Sequence, residues 1–365
     1  MGCAVVIYII LSVLTALNLV KETEDKEKSI KKINIYLVIK LFLNLIFANV
    51  YIFILIQFLH KKEWYMIMLP AIFSFIFSVV DSMALYKTNK KLRNLNCTKK
   101  DYYFQVIGDN ILLYMAWFAT NLLHVFNVEE QGDYLFLMFC FVFFIITNLV
   151  VIRIRKFVMK CKEVSSEKLL SILNKYSVEG YKIYEYDGKM MKSANAMVDS
   201  MFGRGNIYFS DYLIENMTED EIEAIYLHEI GHIKKHHIAL RNLFLMLFIP
   251  LIYGIGVLMD KIDQVQHINI PLGILFLISI VIGYTVFLYL YLSRKQEYAA
   301  EQYAAENIEN IDVLSRALRK LNELNDILES DKGKGLLKSH PVVEKRIERI
   351  NVRKKNYDKK RGVVL

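Results

Sequence analysis

Seven stretches of the chain, roughly residues 4–20, 34–59, 65–86, 103–126, 134–152, 242–259 and 268–292, are almost unbroken apolar sequence. About 20 apolar helical residues cross a hydrocarbon layer of about 30 Å, and a helix is favoured there because it satisfies its own backbone hydrogen bonds. This one feature predicts a mainly α, polytopic membrane protein with about seven transmembrane helices. Composition agrees: 55% of the 365 residues are hydrophobic and 13% aromatic, with only 15 Gly and 4 Pro. Disordered, collagen-like and loop-rich all-β chains are excluded on that balance. The first stretch reads as a retained span, because no basic residue precedes it and Leu14-Thr15-Ala16 is not a small-x-small cleavage site. The four cysteines, Cys3, Cys97, Cys140 and Cys161, match neither a disulfide framework nor a CxxC zinc pattern.

The connecting segments alternate in charge. Residues 21–33 carry five lysines and residues 87–102 carry six basic side chains, whereas 127–133 carry none and 260–267 only Lys261. Excess Lys and Arg marks the cytoplasmic side. The expected topology places the N-terminus outside and the C-terminus and residues 153–241 in the cytoplasm. The net charge of +8 is then mostly an orientation signal, which argues against nucleic acid as a partner and for membrane lipids. Polar residues within the spans, such as Asp81, Asp109 and Asn110, are expected to face other helices or a hydrated cavity. The predicted organisation is five spans in 1–152, a cytoplasmic α+β segment in 153–241, two spans in 242–292, a cytoplasmic helical segment in 293–350 and a basic tail in 351–365.

Within the cytoplasmic segment, Tyr181-Lys-Ile-Tyr-Glu-Tyr186 alternates as a strand does, and Asp187-Gly188 after it predicts a hairpin turn. Gly205–Ser210 reads as a second strand, the expected edge strand for an extended substrate. Thr218-Glu-Asp-Glu221 is a capping box, opening a helix that runs through His228-Glu-Ile-Gly-His232 toward Arg241.

The pentapeptide HEIGH carries the most chemistry. Helical residues i and i+4 share a face, so His228 and His232 can offer two imidazoles to one metal, with Glu229 beside them as a base for an attacking water. A catalytic zinc takes a third protein ligand and keeps one position open. Lys235 and Ile238 stand where a metzincin needs Gly and His, so the third ligand must come from elsewhere. Glu297 and Glu301, four apart and flanked by alanines that permit close packing, are the two candidates.

Taken together, HEIGHIKKHH, SRKQEYAAEQYA from Ser293 and Ser339-His-Pro-Val-Val-Glu-Lys-Arg-Ile347 resemble the integral-membrane zinc metallopeptidases. That family includes type I CaaX prenyl proteases and HtpX-type proteases. Ser193-Ala-Asn-Ala196 and the strand before HEIGH extend the resemblance over roughly 190–350, and the seven-span outline is closest to the CaaX prenyl protease branch. The resemblance implies Zn²⁺ held by His228, His232 and Glu297, with Glu229 catalytic. It implies that Asn195 lies by the substrate strand and that His340 and Arg346 stand near the zinc, to stabilise an oxyanion and to position groups. Glu301 replaces the family's usual Asp, which orients a ligand histidine, and His237 is a supporting group. The expected activity is zinc endopeptidase cleavage of membrane-associated or lipidated peptides and proteins at the cytoplasmic face. Quality-control proteolysis of the HtpX kind and a protease-type membrane sensor are the alternatives.

Overall fold

The computed structural model describes residues 85–92, 94–104, 133–266, 291–325 and 343–361, with isolated positions between 72 and 83 and between 279 and 284. The described residues fall into two units. One holds residues up to Met159 together with Met190–Lys192, and the other holds Lys160–Lys189 and the chain from Ser193.

In the first unit, the fifth apolar stretch forms helix α1, Asp133–Val158. Its segment Leu137–Val158 has 22 residues of mean hydropathy 2.5, and among the described residues it is the one helix long and apolar enough to cross a membrane. Met138, Phe141, Ile146 and Leu149 along it are all exposed. The expected spans at 4–20 and 34–59 lie outside the described residues, and those at 65–86, 103–126 and 268–292 lie mostly outside them. Tyr86, Leu95, Cys97 and Tyr102 form a separate small core with Met190 and Met191.

The second unit is built on a four-stranded sheet. Its strands are β1 (Lys162–Glu163), β2 (Tyr181–Tyr186), β3 (Ala196–Met201) and β4 (Arg204–Ser210), in the order β1-β2-β4-β3. The two strands expected from the sequence are present, but Asp187-Gly188 does not join them as a hairpin, because β2 and β4 run parallel. Backbone N–H groups of Gly188 and Lys189 instead donate to Asp211 Oδ1 at 2.8 and 3.1 Å, which turns the chain away from the sheet. The tight hairpin lies later, where Phe202 and Gly203, both at positive φ (52° and 78°), join β3 to β4. Two consecutive left-handed residues form the turn whose twist suits a two-residue hairpin.

Residues 205–210 are therefore not an edge strand. Ile207, Tyr208 and Phe209 are each fully buried, and β4 is paired on both sides. Strand β4, buried from Asn206 to Ser210, lies inside the sheet, and the edges fall to β1 and β3.

Helix α2 (Glu167–Lys175) lies between β1 and β2 in sequence, and α3 (Asp211–Asn216) follows β4 directly, capped by Ser210. Helix α4, Glu219–Lys234, starts with the expected capping box between Thr218 and Glu221. It packs on the sheet face carrying Ile207 and Phe209 through Ile222, Ile225 and Tyr226. Helix α5 (His237–Gln266) contains the sixth apolar stretch, and α6 (Ser293–Asn307) follows the seventh. Helices α7 (Ile311–Leu324) and α8 (Val343–Arg361) close the same core with Leu314, Leu318, Ile347 and Ile350.

Candidate metal centre

Helix α4 presents His228 and His232 on one face, as their spacing requires, with Nε2 atoms 3.1 Å apart. Helix α6 lies against that face. A Cβ on Gly231 would stand 2.8 Å from the Ala300 carbonyl oxygen and 2.9 Å from its Cα, so only glycine lets the two helix backbones approach this closely. That approach carries Glu297 to the imidazoles, with carboxylate oxygens 3.5 Å from His228 Nε2 and 3.5 Å from His232 Nε2. Of the two carboxylates left open by spacing, Glu297 is the one that completes the cluster.

The donor set fits a zinc ion. Ligands about 2.0–2.2 Å from a tetrahedral zinc lie about 3.3–3.5 Å from one another, close to the three separations here. Burial drives His232 down to about 2 and His237 down to about 4, so both rings are neutral and keep a lone pair. His228 is also pressed down by burial, but its hydrogen bond to Glu297 and that carboxylate's charge outweigh burial and leave it raised. Two imidazoles and a carboxylate converge in a buried site where one positive charge is wanted between them. The sequence model of peptidase family M48 matches residues 164–354, a stretch spanning both α4 and α6.

The chain belongs to peptidase family M48.

Two kinds of curated relative accompany that match. The protease HtpX homolog of Streptococcus uberis is 28% identical over 38% of this chain and 56% of its own length. The CAAX prenyl protease 1 homolog of Dictyostelium discoideum is 27% identical over 33% of this chain and 30% of its own. The matches thus span about half of the first relative and under a third of the second. The crystal structure of S. mikatae Ste24p superposes with a TM-score of 0.64 at 19% identity, covering 94% of this chain and 97% of that one. The chain therefore has a mainly helical, Ste24p-like fold.

Around the cluster, this M48 peptidase places further polar groups behind His232 and Glu297. Lys235 ends α4 and His236 takes a positive φ of 54°, a break the sequence pattern did not reveal. The chain bends there and places His237 so that its Nδ1 lies 3.0 Å from Nδ1 of His232. A proton shared between those two nitrogens leaves Nε2 of His232 facing Glu297. Gln296, buried beside Glu297 in sequence, donates to the His237 carbonyl at 3.3 Å. Arg346 from α8 lies 3.6 Å from Glu297 Oε2 and donates its Nε–H to Glu301. Among the described residues, Glu301 thus bonds to Arg346 and not to His228 or His232.

Glu229 is buried next to His228 on the same helix. Asn195 stands just before β3, its backbone bonded to Ser210, and is not part of the metal cluster. His340 lies outside the described residues. Sequence reasoning missed Gln296 and the packing role of Gly231. A polar residue directly beside a candidate ligand was the one available hint for the former. Nothing local marks a glycine as a helix contact.

Proposed function

We propose that this peptidase is a zinc metalloendopeptidase acting on membrane-associated peptides or proteins, lipidated ones included, in the manner of CaaX prenyl proteases. The convergence of His228, His232 and Glu297 at 3.1–3.5 Å carries the reading. Zinc bound by these three supplies Lewis acidity to the scissile carbonyl and to the attacking water. Glu229 takes a proton from that water and returns it to the leaving amine. His237 holds the ring of His232, and Arg346 holds the carboxylates of Glu297 and Glu301 in place. His340 serves as a donor to the oxyanion. The substrate lies extended along the free edge of β3, near Asn195, where main-chain pairing recognises an extended segment with little regard to its side chains.

The exposed apolar surface of α1 supports placement in a membrane. In the proposed topology the chain has seven spans, its N-terminus outside and the catalytic segment and C-terminus in the cytoplasm.

The test compares cells carrying wild-type protein or Glu229→Gln. The variant removes the base and no ligand, so zinc content stays near one per chain while cleavage falls by about a hundredfold to ten-thousandfold. New protein ends clustered near lipidated C-termini mark CaaX-type processing, and cuts scattered over many membrane proteins mark HtpX-type turnover. Wild-type and variant cells with identical protein ends would remove the peptidase reading.

A further inference from the structure

In an antiparallel pair, successive residues point their N–H and C=O groups alternately toward and away from the partner strand. The β3–β4 register pairs Met201 with Arg204 across the hairpin and Asn195 with Ser210, whose N–H donates to the Asn195 carbonyl at 3.0 Å. The odd-numbered residues of β3 thus face β4, and the groups of residues 194, 196, 198 and 200 face the open edge.

Two of these four positions are already taken by asparagine side chains. At one end, Asn325 at the close of α7 treats Ala194 as a strand partner would. Its Oδ1 accepts from Ala194 N at 3.0 Å and its Nδ2 donates to Ala194 O at 2.7 Å. At the other end, Asn242 of α5 donates Nδ2 to Ser200 O at 3.3 Å. Between them, Ala196 and Val198 keep their edge-facing groups without a partner among the described residues. Their side chains pack inward against the core and hold this short stretch of backbone in place.

We infer that Asn325 and Asn242 are specificity-determining end stops that limit main-chain pairing of substrate to a window centred on Ala196 and Val198. The inference rests on the peptidase reading above and on β3 as the substrate strand. At about 3.3 Å per residue, pairing between the blocked positions accommodates about five extended substrate residues. A longer extended segment gains nothing from the edge and must bend away at both ends. The peptidase therefore selects short exposed stretches and chain ends over long β-prone segments. The carboxamide suits this task because it carries both a donor and an acceptor and can occupy a backbone position without offering a further edge.

The experiment uses full-length, zinc-loaded protein and internally quenched peptides of about four to about twelve residues, grown by single alanines in each direction from one cleaved core. For the wild type, kcat/KM climbs with length to about five or six residues and then levels. Asn325→Ala frees both edge groups of Ala194, so kcat/KM for the longer peptides rises roughly tenfold, with the gain confined to one peptide end. Asn242→Ala frees a single acceptor and gives a gain of roughly fivefold at the opposite end. Asn325 also caps α7 by donating to Leu321 O at 2.9 Å, so Asn325→Asp serves as a milder probe that keeps the acceptor for Ala194 N–H and loses the donor. Peptides cut with no plateau in the wild type, or with the same length profile in all variants, overturn the end stops and leave the peptidase reading standing. A zinc-loaded wild type that cuts none of the peptides removes both.

Discussion

Helix α1 and helix α4 differ in opposite senses in composition and in burial. Along α1, Phe141, Ile146 and Leu149 remain 48%, 49% and 45% exposed although the segment is the most apolar described. Along α4, by contrast, His228 and Glu229 are 7% and 8% exposed in a helix that begins Glu-Asp-Glu. Apolarity alone does not set burial; the number of packed neighbours does. Helix α4 has the sheet on one side and α6 on the other, and its polar groups are stabilised there by one another. The apolar flank of α1 meets no such neighbour among the described residues. Such a surface is stable where the surroundings are themselves apolar.

Four substitutions break or sharpen this contrast. The largest effect belongs to the buried cluster of α4 and α6. Glu297→Ala removes one of three ligands, so zinc content measured by mass spectrometry falls to background and cleavage is lost with it. Retention of one zinc per chain would assign the third ligand to another carboxylate. Next, Ile146→Arg places a charge midway along the exposed flank of α1. If lipid covers that flank, insertion is penalised by about 2.5–3.5 kcal/mol, read as a loss of membrane-integrated protein. A change within about 0.5 kcal/mol, as for an ordinary surface site, would sink the membrane placement of α1. The smallest effect concerns two glycines. Gly231→Ala drives a methyl into the Ala300 backbone and costs about 1–3 kcal/mol, with weakened zinc retention because α6 is pushed back. Gly254→Ala on α5 meets nothing within 4 Å and is neutral or stabilising by up to about 1 kcal/mol. Equal unfolding midpoints for the two variants would show that the α4–α6 contact is not as close as described.

Some of the site was legible in the chain because the rules involved are local. A capping box and an i, i+4 histidine pair act within two helical turns, and both are present as read. The strands at Tyr181–Tyr186 and 205–210 were also legible from their side-chain patterns. Strand β3 was not, because Ala196-Met-Val-Asp-Ser-Met201 mixes small, polar and apolar residues without clear alternation. The Asp187-Gly188 pair read as a hairpin because its dipeptide allows one, but the capture of that loop by Asp211 is a contact between residues more than twenty apart. The break at His236 was hidden for a similar reason. A helical pattern continues through Lys235 and His236, and only the packing of α5 places His237 beside His232.

The sequence by itself determined the secondary structure of helix α4, the two histidines on its face and the apolar stretches. Each follows from periodicity and side-chain chemistry within a short window. Its motifs also carried the family resemblance that pointed to Glu297. The tertiary structure alone decided that β4 lies inside the sheet and β3 at its edge, and that asparagines from α5 and α7 close that edge at both ends. It also decided that Gly231 sets the distance over which Glu297 reaches His228 and His232. The physical reason is that strand order, helix separation and the satisfaction of an edge carbonyl depend on groups far apart in the chain. Their free energies are settled only when the packed core brings those groups together.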